Sequence, residues 1–460
     1  MVFCLFISNL LLATASLHLT ERRIQITWDR SPRISENLIS IAAGPGIFFN
    51  NQGCVFENSR FIKYIAALRP GYLRFGGTRA DQMTFINASN PEEICDLRSL
   101  HKIQKPFLPV TLYREDIEKL INFSRNTSKR MLFGLNLNSR SKDGSWNSKN
   151  VELLLDFFKE QNFFPDFELG NEPNSYLHHF NYTMTPEQQA NDFEVLKLIL
   201  ARKGFHSSKL IGPSTTGRGP TALNYFSKFL ETKPPVEFAA YHHYTLNGRN
   251  ATVKDFISPS SFYAYEDEAK LWTETSKEND KKPFISEGAL AFGGGAKNIS
   301  DRFVSSFLWA DKLAMSALTG IHSFCRETAF GGAYALLNED LLPTPSYWIS
   351  FYFRKFIHGR ISSLQTFDDN QQFYRIYNVC TNKNKVTKLI INPSKATVLR
   401  IEGKFESYQL IPKGRHLLSK YILINGQRPS IHRTRRETGS GSLLLQHYSV
   451  SFIRTNISCK

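Results

Sequence analysis

The run FELGNEPNSYLHH, Phe167 to His179, governs how the rest of the chain is read. Its apolar residues end at Gly170, a carboxylate follows at Glu172, and Pro173 keeps a strand from continuing. A lone glutamate there has an ordinary explanation, because a carboxylate at a helix N-terminus gains roughly 0.3–1 kcal/mol from the helix dipole. It has a second one if the strand belongs to a barrel, since barrels carry their reactive groups at the C-terminal ends of their strands.

The flanking sequence has the periodicity of a barrel. Short β-rich segments alternate with longer amphipathic ones: LISIAAG near residues 39–44, then YLRFGG, MLFGLNLN, FELGNE, KLIGP, FAAYHHY, PFISEG and IHSFCRE. Between them, runs such as VELLLDFFKEQN and ANDFEVLKLILARKG repeat their apolar residues every three or four positions. Eight strands alternating with helices predict an α/β chain whose residues 36–358 form a (β/α)8 TIM barrel. From residue 359 to 460 the pattern changes to short alternating segments, FYRIYNVCT, KVTKLIINP, ATVLRIEG, ESYQLIP and SVSFIRT, which predict a smaller all-β sandwich domain. The early stretch RIQITWD, within residues 17–35, also alternates and is expected to add a strand to that sandwich. Residues 428–442, RPSIHRTRRETGSGS, read as a solvated basic hairpin loop, with a surface patch for anions as the alternative.

Composition narrows the function classes. With 460 residues, 41% hydrophobic and 13% aromatic, the chain has enough apolar surface for one large and one smaller unit. Residues 1–16, MVFCLFISNLLLATAS, read as a signal peptide, which predicts a secreted or lysosomal protein without a membrane segment after cleavage. Seven Asn-x-Ser/Thr sequons agree with that route: Asn87, Asn122, Asn126, Asn181, Asn250, Asn298 and Asn456. The net charge of +16 favours acidic partners, of which nucleic acid, anionic membrane and sulfated polysaccharide all qualify, and the secretory route argues against the first. Neither HExxH nor paired CxxC occurs, so no metal and no cofactor are expected.

Glu172 ends the fourth candidate strand, and Glu287, in PFISEGALAFGGG, ends the seventh. Taken singly, Glu287 could be a cap or a salt-bridge partner. Taken together across a barrel mouth, the two supply what glycoside hydrolysis requires. One protonates the leaving oxygen while the other attacks or stabilises an oxocarbenium-like centre, and a retaining mechanism sets them roughly 5–5.5 Å apart.

At this point the chain resembles glycoside hydrolase family 79, the family of the heparanases. The similarity is densest in YLRFGGT (72–78), LGNEPNS (169–175), HHYTLNGR (242–249), FGGGAKNISDRFVSSFLWADKLAMSALTG (292–320) and FGGAYALLNEDLLPTPSYWISFYFRK (330–355). The resemblance implies a barrel flanked by a β-sandwich, and endo-acting, retaining cleavage of glucuronic acid linkages in heparan sulfate. Residue by residue, it implies Glu172 as acid/base and Glu287 as nucleophile, with Asn171 on the sugar 2-hydroxyl and Tyr244 and His242 lining the cleft. It places Gly293, Gly294, Gly332 and Tyr334 at the glucuronate carboxylate. Thr78, Arg249, Lys102 and Lys105 join them as substrate-binding residues.

The resemblance also implies a Cys380–Cys459 disulfide, with Cys54–Cys95 as a second bridge. The chain departs from the family's mammalian pattern in Phe292 for tyrosine, in Gly288 for threonine, and in a GPSTTGRGP loop with the single arginine Arg218. It is also shorter between Ile86 and Arg114 than relatives with an excisable linker, so it is expected to act as a monomeric single chain. The alternatives are an exo-acting β-glucuronidase and a non-catalytic heparan-sulfate-binding relative.

Overall fold

A computed structural model describes residues 31–459 apart from 50, 51, 91–96, 98–108, 218, 370, 371 and 383. Eight parallel strands close into a barrel: β1 Ile39–Ala43, β2 Tyr72–Phe75, β3 Arg130–Leu135, β4 Asp166–Leu169, β5 Leu210–Thr215, β6 Phe238–Asn247, β7 Lys282–Phe292 and β8 Phe324–Arg326. A helix follows each strand in turn: α1 Ser59–Ala66, α2 Arg114–Thr127, α3 Lys149–Glu160, α4 Pro186–Lys203, α5 Pro220–Glu231, α6 Pro259–Glu278, α7 Ser305–Thr319 and α8 Pro345–Phe356. The predicted (β/α)8 architecture is therefore present strand for strand. Local chemistry fixes the helix ends. Asn58 accepts from the N–H groups of Arg60 and Phe61 at the start of α1, and Thr185 caps α4 just before Pro186.

Alternation along the strands separates two cores. Ala42, Tyr72, Leu132, Ile211, Phe238, Ala240, Phe284 and Cys325 point inward and fill the lower barrel. Their outward neighbours, among them Leu73, Phe167, Tyr241, Ile285 and Phe324, pack into the large core under the helices. Above the apolar plug the inward side turns polar, and that change marks the site.

Beyond α8 the chain forms an antiparallel unit of β9 Arg360–Asp368, β10 Phe373–Asn382, β11 Lys385–Asn392, β12 Thr397–Pro412, β13 Ile422–Ile424, β14 Glu437–Leu445 and β15 Ser449–Thr455. All seven strands are hydrogen-bonded as one sheet. The sheet folds over itself, so that Leu399, Ile401, Phe405, Leu443 and Leu445 close on Tyr374, Ile376, Ile390 and Ile453. Two readings change here. ATVLRIEG and ESYQLIP are one sixteen-residue strand, with an irregularity between Ile401 and Lys404 at positive-φ Gly403. The Gly/Ser part of the expected 428–442 loop is strand β14, where the ring of Phe405 occupies the space above Gly439.

RIQITWD lies outside the described residues. Just after it, Arg33 bridges Arg360 on β9, and Ile34 donates to the Gly359 carbonyl at 2.8 Å. The sheet docks on the barrel through buried Arg375, which pairs with buried Asp311 of α7 at 2.9 Å and also with Glu266 of α6, while Tyr377 donates to Asp311 at 2.6 Å. Cys380 and Cys459 form a disulfide, so the chain's last described residues are tied to β10. Cys54 is disulfide-bonded as well, and Cys95 lies outside the described residues. Cys325 is a buried free thiol inside the barrel.

Candidate active site

The polar layer begins with Arg74 on β2 and Glu168 on β4, both inward and fully buried. Arg74 Nε donates to Glu168 Oε1 at 2.7 Å, Nη1 to Glu287 Oε2 at 2.7 Å and Nη2 to Asn171 Oδ1 at 2.8 Å. Burial works against the guanidinium charge, but Glu168 and Glu287 outweigh it and keep Arg74 protonated. Room for this cluster comes from Gly76, where a Cβ would stand 2.4 Å from Glu168 Oε1.

Glu172 reaches the mouth by a strained turn. Gly170 has φ of 84°, and a Cβ there would stand 2.5 Å from Leu137 and 2.9 Å from the Tyr176 hydroxyl, so only glycine fits. Glu172 itself has φ of 54°, a left-handed conformation that costs a non-glycine residue roughly 1–3 kcal/mol. Three bonds hold it there. Asn171 N–H donates to Asp81 at 2.8 Å, Glu172 N–H to the Ser214 carbonyl at 2.9 Å, and Ser175 N–H to the Glu172 carbonyl at 2.8 Å.

Glu287 reaches the mouth by a bulge. Tyr241 of β6 pairs with Ile285, yet the next residue, His242, pairs with Glu287; on the other side Phe324 pairs with Ile285 and Arg326 with Gly288. Strand β7 thus carries one residue more than either neighbour, and Ser286 is the extra one. Ile285 faces outward and Ser286 inward, where its hydroxyl donates to Ser214 at 3.1 Å. Uninterrupted alternation would send Glu287 out again. The bulge turns it inward to Arg74.

Around the pair, Tyr244 donates to Glu287 Oε1 at 2.7 Å, and His242 Nδ1 lies 2.8 Å from Glu172 Oε1 and 3.9 Å from Glu287 Oε1. Since Arg74 can only donate and its Nη2 faces His242 Nε2 at 3.5 Å, we assign the imidazole proton to Nδ1, donated to Glu172. Glu172, His242 and Glu287 each offer an atom within 4.8 Å of the others. That spacing could serve a cation, but the Arg74 guanidinium already supplies positive charge on Glu287. Burial acts to raise the Glu287 carboxyl, yet the Arg74 charge and the hydrogen bonds from Arg74 and Tyr244 oppose it and hold the carboxyl well below the usual carboxylate range.

The remaining predicted residues fall around this centre. Gly293, Gly294 and Gly332 all have positive φ, and Tyr334 packs against this loop pair, with Ala333 N–H donating to the Gly294 carbonyl at 3.0 Å. Arg249 is exposed, and its side chain passes 3.9 Å from where a Cβ on Gly293 would stand. Thr78 begins the short helical turn Thr78–Gln82 after β2 and is half-buried. Lys102, Lys105 and Arg218 lie outside the described residues. A cleft of about 460 Å³ opens beside Gly332, where Lys297, Arg302 and Lys420 are matched by Asp301, Glu339 and Asp340. Gly288 is packed tightly, because a Cβ would stand 2.7 Å from the His243 carbonyl and 2.8 Å from the Phe324 ring. Arg74, Glu168 and Asp81 were missed as site residues, although a charged residue inside YLRF or FEL is the signal for a polar layer in a barrel.

Residues 53–314 match the family model described as glycosyl hydrolase family 79, N-terminal domain. The chain belongs to glycosyl hydrolase family 79. Heparanase from Mus musculus is 30% identical over 447 residues, covering 86% of this chain and 84% of that protein. Hyaluronoglucuronidase from Hirudo nipponia is 26% identical over 413 residues, covering 80% and 82%. Among solved structures, a 4-O-α-L-rhamnosyl-β-D-glucuronidase from Fusarium oxysporum superposes with a TM-score of 0.69 at 14% identity, covering 92% of this chain and 97% of that one. As a family 79 protein the chain is a glycoside hydrolase, and its barrel with an attached β-sheet unit is the fold it shares with that structure.

Proposed function

We propose that this family 79 enzyme is a retaining endo-β-glucuronidase that cleaves glucuronic acid–glucosamine linkages in heparan sulfate, with Glu172 as acid/base and Glu287 as nucleophile. The observation that carries the reading is the unequal setting of two carboxyl groups whose facing oxygens lie within 4.8 Å of each other. A facing pair this close suits direct attack by one carboxylate. Glu287, clamped by Arg74 and Tyr244 and held ionised, has the setting of a nucleophile. Among the described residues, Glu172 receives one side-chain hydrogen bond, from His242 to Oε1, which leaves Oε2 to carry a proton to the leaving oxygen.

Binding follows from the same surroundings. Arg74 fixes Asn171 by its Oδ1, which leaves the amide N–H groups for the sugar 2-hydroxyl beside Glu287. Gly293, Gly294, Gly332 and Tyr334 form the end that takes the uronate carboxylate, by backbone N–H groups and a phenol. The net charge of +16 and the exposed Arg249 beside Gly293 suit a polymer that carries negative charge. Relatives named for heparan and hyaluronan cleavage support a uronic acid polymer as substrate. All seven sequon asparagines are exposed, which supports glycosylation on a secretory route. We take the chain to act as a monomer without excision of a linker.

The test is to incubate the protein with heparan sulfate and follow chain length and anomeric configuration by NMR, alongside Glu172→Gln and Glu287→Gln. A rapid fall in chain length with retained configuration is expected from the parent and from neither variant. Release of monosaccharide alone would replace the endo reading with the exo one. Inversion, or full activity in Glu287→Gln, would overturn the mechanism.

A further inference from the structure

A third carboxyl group stands at the barrel mouth with no role in the chemistry above. Glu327 follows the last residue of β8, and its N–H donates at 2.9 Å to the carbonyl of Gly288, the residue after Glu287. Alternation along β8 gives its direction. Phe324 packs edge-on against Trp309 of α7, outside the barrel. Cys325 belongs to the inner plug, and Arg326 stacks on Trp309 at 4.5 Å while donating to the Tyr334 carbonyl at 3.0 Å. Glu327, two residues beyond Cys325, therefore faces inward.

The charges it meets agree with that placement. Its carboxyl interacts electrostatically with Glu287 from β7, Tyr244 from β6, Arg74 from β2, and Arg326 and Tyr334 from β8 and its following loop. Among the described residues, none donates a hydrogen bond to its side chain, whereas Glu287 receives one from Arg74 and one from Tyr244. The position is half-buried, so a ligand can reach it.

We propose that Glu327 is a substrate-positioning residue that works as the neutral acid, donating its proton in a hydrogen bond to an oxygen of the uronic acid unit held between Glu287 and Tyr334. Two carboxylates facing each other in one cavity cannot both ionise freely, and Arg74 stabilises the charge on Glu287 in preference. Burial and the Glu287 charge raise the Glu327 carboxyl above the usual range, in the same direction. Ionisation of Glu327 would then set a negative charge against the anionic sugar, so that uronate binding weakens as the pH rises. This rests on the reading of the glycine loops and Tyr334 as the uronate end.

The test measures binding of free glucuronate by calorimetry from mildly acid to mildly alkaline pH, in Glu172→Gln and in Glu172→Gln/Glu327→Gln. The shared background removes titration of Glu172 from both arms and makes the measurement independent of turnover. Glutamine keeps a donor and cannot ionise. The expected result is that Kd in the single variant rises about tenfold per pH unit above the Glu327 transition, while the double variant stays flat there with a similar affinity at acid pH. Parallel curves, or loss of acid-pH binding in the double variant with an unchanged melting temperature, would overturn the proposal. Failure of the heparan sulfate test with these curves diverging as expected would instead place the error in the proposed reaction.

Discussion

Arg74 Nη1 lies 2.7 Å from Glu287 Oε2, and the guanidinium that joins them has no exposed surface. The same group holds buried Glu168 at 2.7 Å on its other edge, so the carboxylate proposed to attack is one arm of a buried ion triad.

Replacing Arg74 by methionine leaves Glu168 buried without its cation. Loss of one partner of a buried ion pair costs roughly 3–5 kcal/mol, and urea denaturation should read a loss of that order. Arg74→Lys should recover part of it, since one ammonium cannot span both carboxylates in the fork geometry. The pH profile separates catalysis from folding. The ionised form of Glu287, held down in the folded state, is present above its folded value and is lost as pH falls through that value. Without Arg74 that value rises, so the acid limb of kcat/KM should move to higher pH in Arg74→Lys.

Tyr244→Phe removes one donor to Glu287 with no change of shape. A fall in kcat of about 10²-fold is expected, with stability changed by only about 1–2 kcal/mol. A fall in kcat/KM through KM alone would show that the hydroxyl serves substrate binding instead.

Gly288 marks a departure from the family's mammalian pattern that packing explains. Threonine there would meet the His243 carbonyl and the Phe324 ring, and overpacking of this kind costs about 1–3 kcal/mol. Gly288→Thr should therefore lower the melting temperature, and Phe324→Leu in the same chain should return part of the loss. Additive destabilisation in the double variant would show that the ring is not the obstacle.

Arg375 holds the β-sheet unit to α6 and α7 through Glu266 and Asp311. Arg375→Met leaves the buried Asp311 charge unpaired and should cost roughly 3–5 kcal/mol. Limited proteolysis should then cut first between α8 and β9. Unchanged resistance there would mean that the apolar contact of the sheet with α7 and α8 suffices.

Much of this was legible in the chain. All eight strands of the barrel were visible as apolar runs between amphipathic ones, because period 2 and period 3.6 differ strongly over ten residues. Glu172 and Glu287 stood out because each ends such a run. Arg74 and Glu168 did not, since YLRF and FEL read as apolar strands until the inward phase of each is known. Nothing in PFISEG announces the extra residue, because a bulge is a relation between neighbouring strands and leaves no residue of its own. The long strand β12 was divided in two for the opposite reason, as Gly403 looks like a turn although the pairing continues past it.

The bulge at Ser286 makes the direction of Glu287 a matter of parity. Glu287 lies in the barrel because the count of residues before it in β7 is one greater than its neighbours require. Deleting Ser286 would keep the glutamate and every other side chain, yet alternation would then turn the carboxylate towards the helices. Two chains with the same glutamate can thus aim it in opposite directions through a single codon that encodes none of its partners.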